Sequence, residues 1–216
     1  MTGVASQLSD IEQDALAEIA NMGVSRAAAS LRQMVGEQVL LSVPSVKIVT
    51  RQAAAKLVES GNTKKLVGVQ QSFDGPFAGK AILIFPEAQS LELVRSIVGS
   101  EHSLEDVIDL EQEALAETGN IILNGCLATI ANVLHRTMRM SLPMIVRGDG
   151  ETLFEIGSPA AGGNLVLFLY IDFNIKNRDI HGFIALLMDL PSVNALKELV
   201  NDFIKGIEKQ SSDHAG

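Results

Sequence analysis

Positive charge is scarce in this chain: 17 Lys and Arg stand against 26 Asp and Glu, a formal charge of −9 with histidines neutral. A nucleic-acid surface needs clustered cations, so that class of partner is excluded. Trp is absent, Tyr170 is the single tyrosine and there are 8 Phe. Few flat faces are therefore available to stack a sugar or a cofactor ring. Cys126 is the single cysteine, which forbids an internal disulfide and every multi-cysteine zinc site and fits a reducing cytoplasm. No apolar run reaches the ~18 residues that a bilayer span requires, and Met1–Ser9 lacks the basic start and apolar stretch of an export signal. We expect a cytoplasmic protein without membrane insertion. No Gly-x4-Gly-Lys-Ser/Thr loop is present to cradle a nucleotide.

What is present is aliphatic. Apolar residues make up 47% of 216 positions, and a globule of that size buries about 70% of its unfolded surface. Ser9-Asp10-Ile11-Glu12 reads as a capping box. Leu16, Ile19, Ala20, Val24, Ala27, Leu31 and Met34 then follow a helical period until Gly36 offers a stop, which predicts a helix over 10–36. Val39 to Thr50 contains Pro44 and reads as an edge or interrupted strand. A short helix over 52–60 follows. Strands over 66–73 and 78–85 flank the turn Asp74-Gly75-Pro76, and a helix runs from Pro86 to near Gly99.

The second half runs through a similar programme: a helix over about 103–138, a strand containing Pro143, strands near 164–174 and 181–188, and a helix from Pro191 to about Ile207. Residues 211–216 read as a frayed tail. Glycine, apolar strand and helix-opening proline recur as Gly79 to Pro86 and Gly182 to Pro191. This predicts one domain over 1–210 made of two repeats, about 1–100 and 101–210. The fold class expected is α+β: an internally duplicated, pseudo-two-fold symmetric sheet, antiparallel or mixed, covered by helices, two of them long and motif-bearing.

The repeat preserves a polar pattern. Asp14-x3-Glu18-x2-Asn21-x22-Pro44 in the first half matches Glu113-x3-Glu117-x2-Asn120-x22-Pro143 in the second. At 100° per residue Asp14, Glu18, Asn21 and Ser25 form one stripe, and Glu113, Glu117, Asn120 and Asn124 another. Leu16, Ile19, Ala27 and Leu31, and in the second helix Leu115, Ile122, Ile130 and Val133, face the core. Cys126 lies on that apolar side, half a turn from Glu117. A solvated helix face would explain one stripe. Asn, however, costs a helix up to about 0.7 kcal/mol relative to Ala, and it recurs mid-helix at the same register.

Glu18-Ile19-Ala20-Asn21-Met22-Gly23 closed by Pro44, and Glu117-Thr118-Gly119-Asn120-Ile121 closed by Pro143, resemble the D/S-x3-E-x2-N-x22-P signature of the CheC-type chemotaxis phosphatases, the CheC/CheX/FliY family. Two copies in one chain resemble the stand-alone CheC type rather than the CheX type with one. Glu113 departs from the Asp or Ser of the pattern, while Asp14 fits it. The resemblance implies hydrolysis of the aspartyl phosphate of a phosphorylated CheY-like response regulator. Asn21 and Asn120 would orient the attacking water, Glu18 and Glu117 would pair with a lysine of the regulator, and Asp14 and Glu113 would serve binding. An acyl phosphate is already activated, so a positioned water is the missing ingredient. No cofactor of its own is expected, because the Mg2+ would belong to the regulator. CheD, a receptor-modifying deamidase, is the further partner that the resemblance implies.

Other chemistries fit less well. A di-metal carboxylate enzyme expects Glu-x-x-His where this chain has Glu-x-x-Asn, and histidines 102, 135, 181 and 214 form no motif. Paired-carboxylate glycosidase chemistry lacks aromatic sugar platforms. The alternative of substance is a non-catalytic regulator-binding or adaptor protein of a chemotaxis or motor complex.

Overall fold

The computed structural model describes residues 7–59, 65–98, 104–157, 164–175 and 178–213. Helix α1 (Asp10–Val35) opens with the expected box: the Ser9 amide donates to Glu12 Oε2 at 2.7 Å, and the Glu12 amide to Ser9 Oγ at 3.3 Å. Gly36 closes it in the left-handed region at φ 71°, where a residue without Cβ is unstrained. Strand β1 (Val39–Thr50), α2 (Arg51–Val58), β2 (Leu66–Asp74), β3 (Gly79–Pro86) and α3 (Glu87–Val98) follow.

The second half comprises α4 (Leu104–Val133), β4 (Arg139–Met140), β5 (Met144–Gly148), α5 (Gly150–Leu153), β6 (Leu165–Ile175), β7 (Arg178–Met188) and α6 (Leu190–Asp213). Several elements differ from expectation, β7 among them, which begins at Arg178 rather than 181. Helix α4 stops at Val133 rather than near 138, because the chain turns through His135 at φ 52°, with the Arg136 amide donating to the Ala131 carbonyl. The strand expected around Pro143 is two pieces. Helix α6 runs six residues past Ile207, through Asp213, so residues 211–213 are helical rather than part of a frayed tail. The expected start of α4 at Ser103, the stop at Gly99 and the tail residues 214–216 lie outside the described residues.

All strand pairings are antiparallel, in the order β1-β6-β7-β3-β2-β4, with β5 also on β2. Helix, strand, helix, hairpin and helix recur in each half. Reading the sheet from either edge gives the same sequence: first strand of one half, then the hairpin of the other. The α+β, pseudo-symmetric fold expected from the repeat is thus present. Alternation along the strands splits the core. Ala81, Leu83 and Phe85 join the cluster under α1, α3, α4 and α6, while Ile82 and Ile84 join Ala54, Val58 and Leu153 under the short α2 and α5.

Helices α1 and α4 cross closely. A Cβ on Gly23 would stand 2.7 Å from Cys126 Cα and 2.9 Å from the Gly125 carbonyl oxygen. Within Leu110–Val133 an 18-residue window reaches a mean hydropathy of 1.2, long and apolar enough for a span by length and composition. The expectation that no apolar run reaches span length is corrected by this helix. Within it Leu115, Ile122, Leu123, Cys126 and Leu127 are buried in the protein's own core, while Leu110 is 38% exposed and Ile121 partly buried.

Candidate functional site

The stripes face outward as their spacing requires. Asp14 and Glu18 on α1 are exposed, as are Glu113 and Glu117 on α4, while Asn21 and Asn120 are half-buried. Leu16, Ile19, Ala27, Leu31, Leu115, Ile122 and Ile130 are buried behind them, and Val133 is partly so. Cys126 is buried with its thiol pushed up to about 12 by desolvation, which makes it an inert packing residue. Among the described residues no three His, Cys, Asp or Glu converge on a common point. His135 is exposed at the end of α4, and His181 meets Asp172 at 2.9 Å on the sheet.

Each asparagine is tied down by the sheet, but differently. Asn21 Nδ2 donates to the Val43 carbonyl at 3.0 Å, and the Val43 amide donates to Asn21 Oδ1 at 2.8 Å. Val43 is available because β1 bulges: Ser42 pairs with Asp172 and Ser45 with Tyr170, so Val43 and Pro44 share the single place opposite Ile171. Pro44 holds its predecessor extended and has no N–H to leave unsatisfied. The 22-residue interval from asparagine to proline therefore measures the path from α1 to this bulge. Asn21 keeps one amide hydrogen and one oxygen lone pair unassigned.

At the second site the interval ends differently. Between the pairs Phe73 with Met140 and Gln70 with Met144 the strand is interrupted, although the Ser141 amide still donates to the Ser72 carbonyl at 2.9 Å. Ser141 Oγ there accepts from the Ser72 amide at 2.9 Å, and Leu142 points into solvent, 85% exposed. The partner of Asn120 is instead Gln71, buried in β2. Gln71 Nε2 donates to Asn120 Oδ1 at 3.1 Å and to the Ser141 carbonyl at 2.9 Å, and Asn124 Nδ2 donates to the same Asn120 oxygen at 2.7 Å. Gln71, Ser141 and Val43 were not singled out by sequence. Two consecutive glutamines inside an otherwise apolar strand were the available signal.

Grooves flank both sites one turn on. Ser25 opens a groove of about 690 Å3 between α1 and β1, and Asn124 one of about 190 Å3 between α4 and residues 136–140. The carboxylates themselves stand on convex helix surface, which suits a macromolecular partner better than a small enclosed substrate.

Residues 11–48, the span from the first turn of α1 through the Pro44 bulge, match the CheC-like family. The resemblance to that family is borne out. CheC1 of Halobacterium salinarum, provisionally assigned as a CheY-P phosphatase, is 26% identical over 186 residues, 85% of this chain and 92% of its own length. The flagellar motor switch phosphatase FliY of Bacillus subtilis is 19% identical over 140 residues, 64% of this chain but 36% of that longer protein. The solved structure of Thermotoga maritima FliY superposes with a TM-score of 0.72 at 16% identity, over 91% of this chain and 98% of that one. The chain thus shares the fold of that FliY structure.

Proposed function

We propose that this CheC-like protein hydrolyses the aspartyl phosphate of a phosphorylated CheY-like response regulator. One observation carries the reading: exposed Glu18 and Glu117 stand one turn from carboxamides whose orientation is fixed by the sheet. The nearly full-length likeness to CheC1 supports it. Glu18 or Glu117 would meet a lysine of the regulator, with Asp14 and Glu113 one turn further along the same stripe. The carboxamide would then hold a water in line with phosphorus. The water oxygen bonds to phosphorus as the bond to the aspartyl oxygen breaks, releasing carboxylate and inorganic phosphate, with the proton passing to phosphate or solvent.

A neutral amide suits this place because it adds no negative charge beside the phosphoryl oxygens. Mg2+ would come with the regulator. Neither the residues nor the relatives speak for CheD, and the scheme assigns it no part. Phosphate decay of a CheY-like regulator tests the proposal. The protein accelerates decay catalytically, and Asn21→Ala with Asn120→Ala abolishes the acceleration while circular dichroism stays native. A protein that binds the phosphorylated regulator and slows its decay is an adaptor or sink.

A further inference from the structure

The two asparagines differ in what they can offer to a water. A water that attacks phosphorus uses an oxygen lone pair, so it is best aimed by an acceptor that takes one of its hydrogens. A carboxamide oxygen has two acceptor positions. At Asn21 Oδ1 one is taken, by the Val43 amide. At Asn120 Oδ1 both are taken, by Gln71 Nε2 and by Asn124 Nδ2. The Ser141 carbonyl opposes an amide flip, even though Gln71 Oε1 is buried without a partner in this orientation. It accepts from the same Gln71 nitrogen at 2.9 Å, and a flipped Gln71 would set its oxygen against that carbonyl. Asn120 is therefore held with its oxygen inward and its NH2 outward. The groove beside Asn124 is also smaller than the one beside Ser25.

We propose that the two sites are unequal: Asn21 carries the hydrolysis, and Gln71 with Asn124 keeps the second site idle by filling the acceptor of Asn120. Gln71 and Asn124 are positioning residues that act through Asn120. The inference rests on the phosphatase reading above and says which face performs it. It also explains why a helix carrying the same Glu-x-x-Asn pattern need not contribute the same rate.

The test is the steady-state dephosphorylation of a CheY-like regulator charged with a small-molecule acyl phosphate, using the full chain. Asn21→Ala is expected to lower kcat by about 100-fold, the scale on which a misplaced reacting group loses rate. Asn120→Ala lowers it by no more than about twofold, because the first site still turns over. Adding Asn124→Ala to Asn21→Ala uncovers one lone pair of Asn120 and raises kcat about tenfold with KM unmoved, which a merely structural change would not do. Asn124 is half-buried on a helix that accepts alanine well, so this variant folds where Gln71→Leu, inside the sheet, could fail. If Asn120→Ala costs as much as Asn21→Ala, or Asn124→Ala leaves kcat flat in the Asn21→Ala background, the inequality is overturned and the phosphatase reading stands. If the unaltered protein does not accelerate decay, both fall.

Discussion

Asn21 and Val43, 22 positions apart in the chain, exchange two hydrogen bonds, carboxamide to main chain. A side chain on a helix thereby takes the place of a missing neighbour for the bulged part of an edge strand. Removing it leaves a partly buried N–H and C=O without partners. Asn21→Ala is expected to cost about 1–3 kcal/mol of stability in addition to any loss of turnover, read as a lower urea midpoint with an unchanged slope. Asn21 is thus a staple of the α1 to β1 junction as well as a candidate catalytic group.

The crossing of α1 and α4 leaves no room for a methyl group at Gly23. Its nearest contacts would be the backbone of Gly125 and Cys126, which cannot rotate away. Gly23→Ala should destabilise by about 1–3 kcal/mol through overpacking, despite alanine's better helix propensity. A raised melting temperature in that variant would show that the helices part without strain.

Acid sensitivity should reside partly in Glu12. Burial by itself raises this carboxyl, but the Ser9 amide, Asn201 and Lys197 outweigh it and lower it from the ordinary 4.5. A carboxyl lowered in the folded state contributes stability that is complete above about 4.5 and disappears as pH falls through the folded value. Glu12→Gln should therefore be less stable than the parent at pH 7, and the difference should shrink on acidification below 4.5. Equilibrium unfolding at several pH values measures this directly.

Met22 follows Asn21 on α1 and is 42% exposed, an apolar side chain at the edge of the polar stripe that the proposed regulator would meet. Glutamine matches its helix propensity. Met22→Gln should raise KM for the phosphorylated regulator about fivefold, on the scale of a moderate interface contact of about 1 kcal/mol, with kcat retained.

Much of this arrangement could be read from local rules. The Ser9 and Glu12 box, the Gly36 stop and the outward placement of Glu18 and Glu117 depend only on residue type and helical period, and the structure has all of them. The proline at the end of the interval read as an edge feature, which β1 is. The reason for the interval did not follow, because it concerns the backbone of Val43 rather than Pro44. Gln71 escaped for a similar reason: it lies 49 residues from Asn120, and no periodicity connects two points brought together by sheet pairing. The break between β4 and β5 is likewise tertiary, since the Ser141 hydroxyl takes the Ser72 N–H that a continuous strand would have used. The four-residue α5 is too short to leave a period, although Asp149 caps it through Thr152.

The strand order has a consequence for how the molecule could be divided. β1 hydrogen-bonds to β6, and β5 to β2, so each repeat lends its opening strand to the other's hairpin. Cut between α3 and α4, either fragment would carry an orphan ribbon and a bare hairpin flank, both adhesive and neither self-sufficient. Mixed together, the fragments have every missing neighbour between them. Complementation of two severed pieces, with neither soluble alone, is the behaviour that this reciprocal loan of strands dictates.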